Sequence, residues 1–506
     1  MTDSPRPRAA HAGWFIAAFL VVFGFLPIVN WIPGGREAPW YGTVASGWLS
    51  GGAIVIGAGA IAGIIGRRVT WSASWWTRIA EDARKHPGRA GALLGALAFL
   101  VYACIAWFVF DGTPLHLDEI AQVIQARIFA QGRLYLEAPA HPEFQSALHV
   151  LDMDGRWYAQ FPPGGPLLLV PGVWLGAPWL VGPALGGASV ALFWGIVRRA
   201  GVSAGVSLGS TLVFAASPFV AFMAASHMNH VGTLCLALLV WWAAVRHAEH
   251  ASLSMAVVLG LATGAGATIR PVDALAVALP VGAWVAWRLV REAERWAHAF
   301  AMLCGVAIPV GMLLWYNQAT TGDPFLFAYE RLWGAEHGLG FHASPWGLPH
   351  TPATGVELIS LYFLRLQTYL FETPLPSLLF VVVGSALSWK SSGIERYWLG
   401  TGSLVCVLYL LYWHDGFYLG PRFLFLLAPA CAWFAAQAPG ALVRRAPGAR
   451  GFVVCATAAS VALAMVSVGS DRGKQYAAGL QPLRARVTDQ AAAAGVENAV
   501  VLVRET

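Results

Sequence analysis

Long apolar stretches recur along the whole chain, and they constrain the fold more than any other feature. Four of them, 13–31, 91–110, 202–220 and 452–468, contain no charged side chain. A helix needs about 20 consecutive apolar residues to cross the hydrocarbon core of a bilayer. Only 11% of the 506 residues are charged, whereas a soluble domain averages about 25%. The sequence therefore predicts an all-α polytopic membrane protein.

Lys and Arg residues fall mainly in short segments between the apolar stretches, and this bias sets the expected orientation. Because short cytoplasmic loops carry an excess of Lys and Arg, we assign these segments to the cytoplasmic side. They are 67–89, 198–199, 246, 288–295, 390–396 and 444–450. The assignment predicts about thirteen transmembrane helices, with the amino terminus inside and the carboxy-terminal tail outside. The predicted spans are 13–32, 44–66, 90–110, 182–198, 203–222, 231–246, 252–269, 272–289, 298–316, 374–389, 396–413, 421–438 and 451–469.

This topology places most polar residues on the extracytoplasmic side. The apolar stretch 165–180 is short and is broken by three prolines, so we interpret it as a helix lying at the outer interface. Two large outer loops are then expected, 111–181 and 317–373. Loops of this length in a compact protein are usually functional. The smaller outer segments are 223–230, 414–421 and the tail 470–506.

A pair of adjacent carboxylates, Asp118 and Glu119, opens the first outer loop directly before an amphipathic helix at 120–131. Carboxylates at a helix start are stabilised by the helix dipole, so one interpretation is a well-capped interfacial helix. The other is a general base at the mouth of the membrane, because a poorly hydrated carboxylate can take a proton from a hydroxyl group.

Four segments carry a resemblance to a known superfamily. The first is Asp-Glu followed by Gln-Gly-Arg-Leu-Tyr, at 118–135, and the second is Tyr-Ala-Gln-Phe-Pro-Pro-Gly, at 158–164. The third is Gly-Leu-Ala leading to Arg-Pro, at 260–271, and the fourth is Tyr-Leu-Gly-Pro-Arg-Phe, at 418–423. Together they resemble the GT-C glycosyltransferases, in particular the protein O-mannosyltransferases and the lipid A aminoarabinose transferases. The resemblance covers about residues 90–440. The chain departs from the pattern at Ile269, where the family has Thr, and at Gln160-Phe161, where the aminoarabinose transferases have Lys.

The resemblance implies a GT-C-like bundle of about thirteen transmembrane helices with two large extracytoplasmic loops. It implies an inverting transfer of a sugar from a polyprenyl-phosphate donor to a lipid, glycan or protein acceptor. Asp118 would be the general base, and Glu119 its neighbour, orienting the acceptor or a metal ion. Membrane lipids would be further partners, and the protein would lie in the bacterial inner membrane with its site facing the periplasm or exterior.

Three parts of the chain follow from this resemblance and the topology. Residues 1–89 form two transmembrane helices and a basic cytoplasmic loop, 90–440 form the GT-C-like membrane domain, and 441–506 form the last span and an outer tail. In the tail we predict a polar helix at 481–494 and a strand at 499–503. The net charge of +6 comes from the Arg-rich loops, so nucleic acid is not an expected partner.

A lipid-phosphate leaving group needs cations at the interface, and Arg suits bidentate contact with phosphate. The outer-face candidates are Arg422, Arg365 and Arg270. Each is also explained as an interfacial anchor with a snorkelling side chain. The candidates for acceptor or sugar contacts are His116, Arg127, Tyr158, Glu336, His337, His414 and Asp415. Aromatic residues in the second loop predict either a sugar-stacking wall or an interface belt.

Two histidines stand where relatives often carry an acidic residue. His227 and His230 are three residues apart, so on a helix they face the same way. With Asp118 or Glu119 they could bind a divalent ion (Mg, Mn or Zn) through mixed nitrogen and oxygen ligands. The alternative is a pair of interfacial histidines hydrogen-bonded to the loop. No other cofactor is expected.

Two other classes of function compete with glycosyl transfer. A secondary transporter is suggested by the interruption Arg270-Pro271-Val-Asp273 between two apolar stretches, because broken helices with charges often mark a transport site. Against it, the sequence has no repeated halves, and its polar residues lie mostly in outer loops. A non-catalytic assembly or sensor subunit is the third class, and it predicts that Asp118 is dispensable.

Overall fold

The chain is helical almost throughout. The computed structural model describes residues 7–33, 36, 38–65, 74–141, 147–291, 296–390, 392–467, 473–477 and 493–495. The helices are α1 Pro7–Phe25, α2 Trp40–Ile65, α3 Ser74–Lys85, α4 Pro87–Phe108, α5 Leu117–Ala130, α6 Gly164–Trp174, α7 Val181–Val197, α8 Ala204–Ala216, α9 Pro218–Ala225, α10 His230–Glu249, α11 Leu253–Ala267, α12 Pro271–Arg291, α13 Trp296–Thr321, α14 Ala328–Trp333, α15 Pro352–Tyr369, α16 Ser377–Ser388, α17 Gly393–Leu410, α18 Ala428–Arg445, α19 Arg450–Ser467 and α20 Gly473–Ala477. Short 3₁₀ helices precede α18 and α19, at Arg422–Leu427 and Pro447–Ala449.

The predicted all-α polytopic class is confirmed. In the described part of the chain, seven helices are long and apolar enough to cross a membrane, and α8 with α9, bent by 52°, makes an eighth if the pair is one span. Twelve of the thirteen predicted spans each overlap one α-helix, and the span 203–222 overlaps the bent pair α8 and α9. Some of these helices are short, such as α11 and α16. The number of crossings, about thirteen, stays a prediction.

Burial separates an inner group of helices from an outer one. The inner group packs around large, fully buried side chains such as Trp194, Trp241 and Trp433. The outer helices α2, α13 and α19 expose apolar side chains instead, for example Phe300 and Met465. Soluble monomers rarely expose apolar patches of this extent, so these outer faces are suited to contact with lipid.

A small sheet follows α5 and helps to hold the first outer loop. Its strands are β1 Leu136–Glu137, β2 Val150–Met153 and β3 Arg156–Ala159, in the antiparallel order β1-β3-β2. The β2–β3 turn places Asp154 and Gly155 at φ of 54° and 71°, which is typical of a two-residue hairpin. Next to the sheet, α6 packs against α5. Of the interfacial helix predicted at 165–180, residues up to Trp174 form α6, whereas Pro178–Leu180 form a 3₁₀ helix that leads into α7. Its position at the interface stays a prediction.

The second outer loop is shorter than predicted, because α15 belongs to the helical bundle. The prediction of a loop over 317–373 is wrong for 352–369, where most residues are buried. The polar side chains of α15 make this segment resemble a loop in the sequence. In the structure they form hydrogen bonds with neighbouring elements. Ser360 Oγ accepts from the Val29 N–H at 3.2 Å, and Gln367 Nε2 donates to the Gly24 carbonyl at 2.9 Å. The loop proper therefore covers 322–351.

Part of the tail lies at the same end of the bundle as the first outer loop. Tyr476 in α20 is buried, and its ring lies 4.7 Å from that of Phe222 and 6.2 Å from that of Phe110, next to the end of α4. The contact agrees with the predicted placement of the tail. The predicted strand at 499–503, and the predicted helix at 481–494 apart from its last two residues, lie outside the described residues.

Candidate active site

A cavity of about 630 Å³ lies between the start of α5, the loop 411–421 and the second outer loop. Among the residues predicted from the sequence, its lining includes His116, Asp118, Arg270, His337, His414, Asp415 and Arg422. These side chains come from five separate segments of the chain. The fold therefore brings half of the fourteen predicted site residues together at this cavity.

Asp118 faces this cavity from the first turn of α5. His116 is the N-cap residue, and its Nδ1 accepts from the Asp118 N–H at 3.3 Å. Arg422 Nη1 donates to Asp118 Oδ2 at 2.6 Å, and His149 Nε2 lies 3.2 Å from Asp118 Oδ1. Burial raises the pKa of this carboxyl, but Arg422, His149 and His116 outweigh it and hold the pKa well below its usual range. Asp118 is therefore ionised as long as Arg422 pairs with it.

A chain of hydrogen bonds orients His149 toward Asp118. Trp333 Nε1 donates to Gln160 Oε1 at 2.6 Å, and Gln160 Nε2 lies 2.8 Å from His149 Nδ1. Because the amide of Gln160 donates there, Nδ1 of His149 is the acceptor and Nε2 carries the proton given to Asp118. His149 has a φ of 70°, a left-handed conformation that only a few per cent of non-glycine residues adopt.

Glu119 has a different role from its neighbour. Its Oε2 accepts from the backbone N–H groups of Leu115 and His116, at 2.7 and 3.3 Å, and its Oε1 accepts from the Tyr418 hydroxyl at 3.4 Å. Only 1% of the residue is exposed. Burial raises its pKa to about 7. Glu119 thus closes the capping box of α5 and does not line the cavity, so the cap interpretation holds for Glu119 and not for Asp118.

Glu119→Gln is expected to remove a pH dependence of stability. The folded-state pKa of about 7 exceeds the ordinary value of 4.5, so between these values the folded protein keeps a proton that the unfolded chain releases. The contribution of Glu119 to the free energy of unfolding is present in full below about pH 4.5. It decreases as the pH rises to about 7, by up to about 1.4 kcal/mol per pH unit. Thermal unfolding in detergent at pH 5, 6, 7 and 8 measures it.

The matched control is Glu137→Gln, an exposed carboxylate in β1, which should keep the wild-type profile. Asp118 does not interfere, since its pKa lies below this window. An unchanged pH profile in Glu119→Gln would contradict the shift.

The Tyr418-Leu-Gly-Pro-Arg422 segment presents Arg422 through an unusual backbone. Leu419 and Gly420 have φ of 53° and 117°, and the Gly420 carbonyl accepts from the N–H groups of Tyr418 and Arg422. The Arg422 side chain is 8% exposed. Its Nε is buried and has no hydrogen-bond partner among the described residues. A buried guanidinium with an unused donor is suited to receive an anion from the cavity.

Gly420→Ala is expected to impair this presentation of Arg422. A Cβ at Gly420 would lie 2.8 Å from the Phe219 ring and 3.2 Å from Tyr369 Cβ, and Ala is strained at this φ. We expect a loss of stability of about 1–3 kcal/mol together with loss of activity, measured by thermal unfolding and turnover. Gly311→Ala in α13 is the control, because its Cβ meets nothing within 4 Å. Equal effects of the two substitutions would contradict the account.

The other two predicted cations lie in different settings. Arg270 lines the cavity, but its guanidinium donates to Asp273 and, at 2.9 Å, to the Tyr409 hydroxyl, which itself donates to Asp273 at 2.6 Å. Its charge is therefore largely neutralised. The Arg365 guanidinium lies between the rings of Trp40 and Phe417, with Cζ 4.9 and 4.5 Å from their centroids.

Arg365 faces a smaller cavity of about 230 Å³, which shares His116 with the main one. Its Nε is buried and has no hydrogen-bond partner in the part of the chain that the structure describes. Arg422 thus lies at the main cavity, whereas Arg365 is set apart from it.

Three predicted contact residues do not reach the main cavity. Arg127 and Glu336 are exposed. Tyr158 is buried between the sheet and α13, where its hydroxyl donates to the Thr320 carbonyl at 3.2 Å. Tyr158 is a packing residue of the outer loop in this arrangement.

The structure does not bring the two histidines of the predicted metal site together with further ligands. His227 and His230 are 5% and 3% exposed. Burial lowers the pKa of His227 to about 4. The described residues include no group of three or more His, Cys, Asp or Glu side chains that could hold a metal ion. The residues present therefore do not fit the predicted divalent site.

Aromatic rings form one wall of the cavity. The rings of Trp346 and Trp413 are perpendicular with centroids 4.8 Å apart, and Trp333 lies 6.3 Å from Trp346. Phe325, another aromatic residue of the second outer loop, is 75% exposed and does not line the cavity. His149 and the aromatic residues of the loop 411–421 were missed by sequence reasoning. The nearest indication of His149 in the sequence was its hydrogen-bond partner Gln160, which lies in the segment 158–164.

No protein-family model matches the chain, and a comparison with curated proteins finds no match. In structure the chain is similar to ArnT from Cupriavidus metallidurans bound to undecaprenyl phosphate, with 14% identity and a TM-score of 0.47 over 76% of this chain and 67% of that one. For ArnT from the same organism in the apo state, the identity is 16% and the TM-score is 0.45, over 75% of this chain and 64% of that one. For the S. cerevisiae protein O-mannosyltransferase Pmt1–Pmt2 complex bound to the sugar donor, the identity is 16% and the TM-score is 0.35. The match covers 51% of this chain and 36% of that one.

These structures belong to the two groups that the sequence motifs resemble. At identities of 14–16% and TM-scores below 0.5, the function has to be argued from the side chains of the site.

Proposed function

We propose that the protein transfers a sugar from a polyprenyl-phosphate donor to a hydroxyl-bearing acceptor, with inversion at the anomeric carbon. The observation that carries the proposal is the pair Asp118–Arg422, 2.6 Å apart on the wall of a large cavity. A carboxylate and a guanidinium at one point are what such a transfer needs: a base for the hydroxyl proton and a cation for the phosphate that leaves.

The donor phosphate is assigned to Arg422. In the structure this guanidinium donates one hydrogen bond to Asp118, and its buried Nε has no hydrogen-bond partner among the described residues. A phosphate can accept from two guanidinium donors at once, which is the geometry that favours Arg over Lys. Arg270, paired with Asp273, supports the cavity wall and contributes less charge.

The base function of Asp118 follows from the same exchange. With Arg422 attached, the pKa of Asp118 is too low for an efficient base. Binding of the phosphate draws Arg422 away and places a second anion nearby, and both effects raise the pKa of Asp118. The acceptor O–H then gives its proton to Asp118, its oxygen bonds to the anomeric carbon, and the bond from that carbon to the phosphate oxygen breaks with its electron pair.

The acceptor is assigned to the side of the cavity formed by Trp333, Trp346 and Trp413. Trp346 is 58% exposed, so it is reachable from the outer surface. His337 and His414, whose pKa values are lowered by burial, are neutral there and can exchange hydrogen bonds with hydroxyl groups. A lipid, glycan or protein acceptor is compatible with this wall.

The orientation proposed from the Lys/Arg bias places this cavity on the extracytoplasmic side, facing the periplasm of a bacterial inner membrane. The spans and the loops that line the cavity are consistent with such an arrangement. A divalent ion belongs to the proposal only if ligands beyond His227 and His230 are supplied by substrate.

A transport assay separates this proposal from the secondary-transporter class. The purified protein is reconstituted in vesicles whose polyprenyl-phosphate sugar carries a radiolabel in the sugar. An enzyme releases free polyprenyl phosphate and moves label to the acceptor, whereas a transporter moves the intact lipid or sugar across the bilayer. Transbilayer movement without breakage of the sugar–phosphate bond, over a panel of donor sugars, would overturn the proposal.

A further inference from the structure

The smaller cavity, of about 230 Å³, lies beside the main one. It is lined by Arg365 of α15, by Leu115 and His116 before α5, and by residues 417–420 of the loop 411–421. His116 and Phe417 line both cavities, so the two spaces adjoin next to the cap of α5. The proposed sugar transfer assigns no role to Arg365.

Arg365 lines the small cavity with its charge unpaired. Its guanidinium lies between the rings of Trp40 and Phe417, with Cζ 4.9 and 4.5 Å from their centroids. Such contacts hold a cation in place but do not neutralise its charge. Its Nε is buried without a hydrogen-bond partner, and no carboxylate among the described residues forms an ion pair with it. A guanidinium that is held but not paired is suited to contact with an oxyanion.

The backbone of the loop contributes donors to the same cavity. Leu419 and Gly420 have φ of 53° and 117°. Neither of their N–H groups has an acceptor in the part of the chain that the structure describes, although Leu419 is only 3% exposed. Buried backbone N–H groups are almost always paired. Successive N–H groups in turns of this kind form concavities that bind anions, so the loop complements Arg365.

The surroundings favour an anion over a cation. Of the described residues that line the small cavity, none is acidic. The neighbouring carboxylates are already engaged, since Asp415 pairs with Arg36 at 3.3 Å and Glu119 accepts from two N–H groups of the α5 cap. His116 Nδ1 accepts from the Asp118 N–H, so its Nε2 carries the ring proton and is a further donor.

The size of the cavity restricts the ligand to a small group. Ligand pockets begin at roughly 300 Å³, so about 230 Å³ fits a single charged group and not a whole sugar with its lipid. The donors come from a side chain and from a separate backbone segment. This arrangement suits the tetrahedral oxygens of a phosphate better than the two oxygens of a carboxylate.

We propose, building on the proposed sugar transfer, that the small cavity binds a second phosphate group while the donor phosphate occupies Arg422. Arg365 supplies the charge, and the N–H groups of Leu419 and Gly420 supply further donors. A phosphate carried by the acceptor and free inorganic phosphate share this chemistry, and the experiment distinguishes the two sources.

The test is calorimetric titration of inorganic phosphate into the full-length protein in detergent, already saturated with undecaprenyl phosphate. We expect one phosphate per protein, bound at least about tenfold more weakly by Arg365→Gln, because a charged hydrogen bond is lost. Arg365→Lys keeps the charge but not the planar donors, so its affinity should fall between the two. Arg127→Gln removes an exposed cation of the outer loop and should change the affinity less than about twofold.

Glucose 6-phosphate, titrated in the same way, identifies the source of the phosphate. Binding tighter than that of inorganic phosphate indicates a phosphate carried by a substrate, because the attached sugar extends past His116 and Phe417 into the main cavity. Equal or weaker binding indicates a site for free phosphate.

Three results would overturn the proposal. The first is no binding of phosphate to the saturated wild type, and the second is equal affinity in Arg365→Gln and Arg127→Gln. The third is weaker binding of undecaprenyl phosphate itself by Arg365→Gln but not by Arg422→Gln, which would place the donor phosphate in the small cavity. Wild-type affinity of Arg365→Gln for undecaprenyl phosphate shows that this variant is folded. The same measurement on Arg422→Gln tests the donor site separately.

Discussion

Replacing Asp118 by Asn is expected to lower the rate of sugar transfer by at least about 100-fold, because the amide cannot accept the proton of the acceptor hydroxyl. The change keeps the shape of the side chain and its place at the start of α5. Turnover is measured on the purified protein with excess donor and acceptor, so that the loss is read in kcat.

Two controls accompany this prediction. Asp154→Asn removes an exposed carboxylate of the same loop, 64% exposed and paired with Arg331, and should leave turnover unchanged. Thermal unfolding of Asp118→Asn must also be followed, since Arg422 loses its buried partner. Full turnover by a stably inserted Asp118→Asn protein would exclude Asp118 as the base and favour a non-catalytic subunit.

Arg422→Ala is expected to weaken the use of the donor about 10- to 100-fold, mainly through KM for the lipid phosphate, since a hydrogen bond to a charged group contributes about 1.5–3 kcal/mol. KM for the acceptor should change much less. Arg422→Lys keeps the charge but not the planar pair of donors, so it should fall between Ala and wild type. Initial rates over a grid of both substrates separate the two constants.

The same substitution changes the chemistry of Asp118. Arg422 is the main group that lowers the pKa of this carboxyl, so its removal raises that pKa toward the ordinary range. The kcat/KM of Arg422→Ala, which reports the free enzyme, should therefore fall at acidic pH as Asp118 becomes protonated, whereas Arg422 keeps Asp118 ionised in the free wild-type enzyme. Arg331→Ala, an exposed cation at the outer surface, is the control. An unchanged donor KM in Arg422→Ala would indicate an interfacial anchor.

The sequence alone was sufficient for the helical membrane class and for naming both Asp118 and Arg422 as candidate site residues, although they are 304 residues apart and their contact is seen only in the structure. The first follows from local composition, since apolar helices are recognisable one at a time. The second followed only from the order of the motifs, because no local pattern predicts which distant loops meet. The separate roles of Asp118 and Glu119 needed coordinates, since burial and backbone contacts distinguish them.

Hydrophobic periodicity in the sequence did not predict some other features of the structure. The helix α15 carries Glu357, Ser360 and Arg365, and its polar side chains resemble those of a loop until their partners in other elements are known. His149 precedes a short strand in no recognised motif, and its function depends on Gln160 and Trp333. The spacing of His227 and His230 predicted a metal site, whereas the fold supplies no further ligand among the described residues.

The central claim is that Arg422 exchanges Asp118 for the phosphate of the donor, and a structure of the protein with polyprenyl phosphate tests it most directly. This lipid is the part common to every donor of the class, so the unknown sugar does not affect the result. We expect the phosphate in the 630 Å³ cavity, about 2.7–2.9 Å from the Arg422 guanidinium, with Asp118 released from its present 2.6 Å contact. Phosphate density elsewhere, with the Asp118–Arg422 pair intact, would contradict the account.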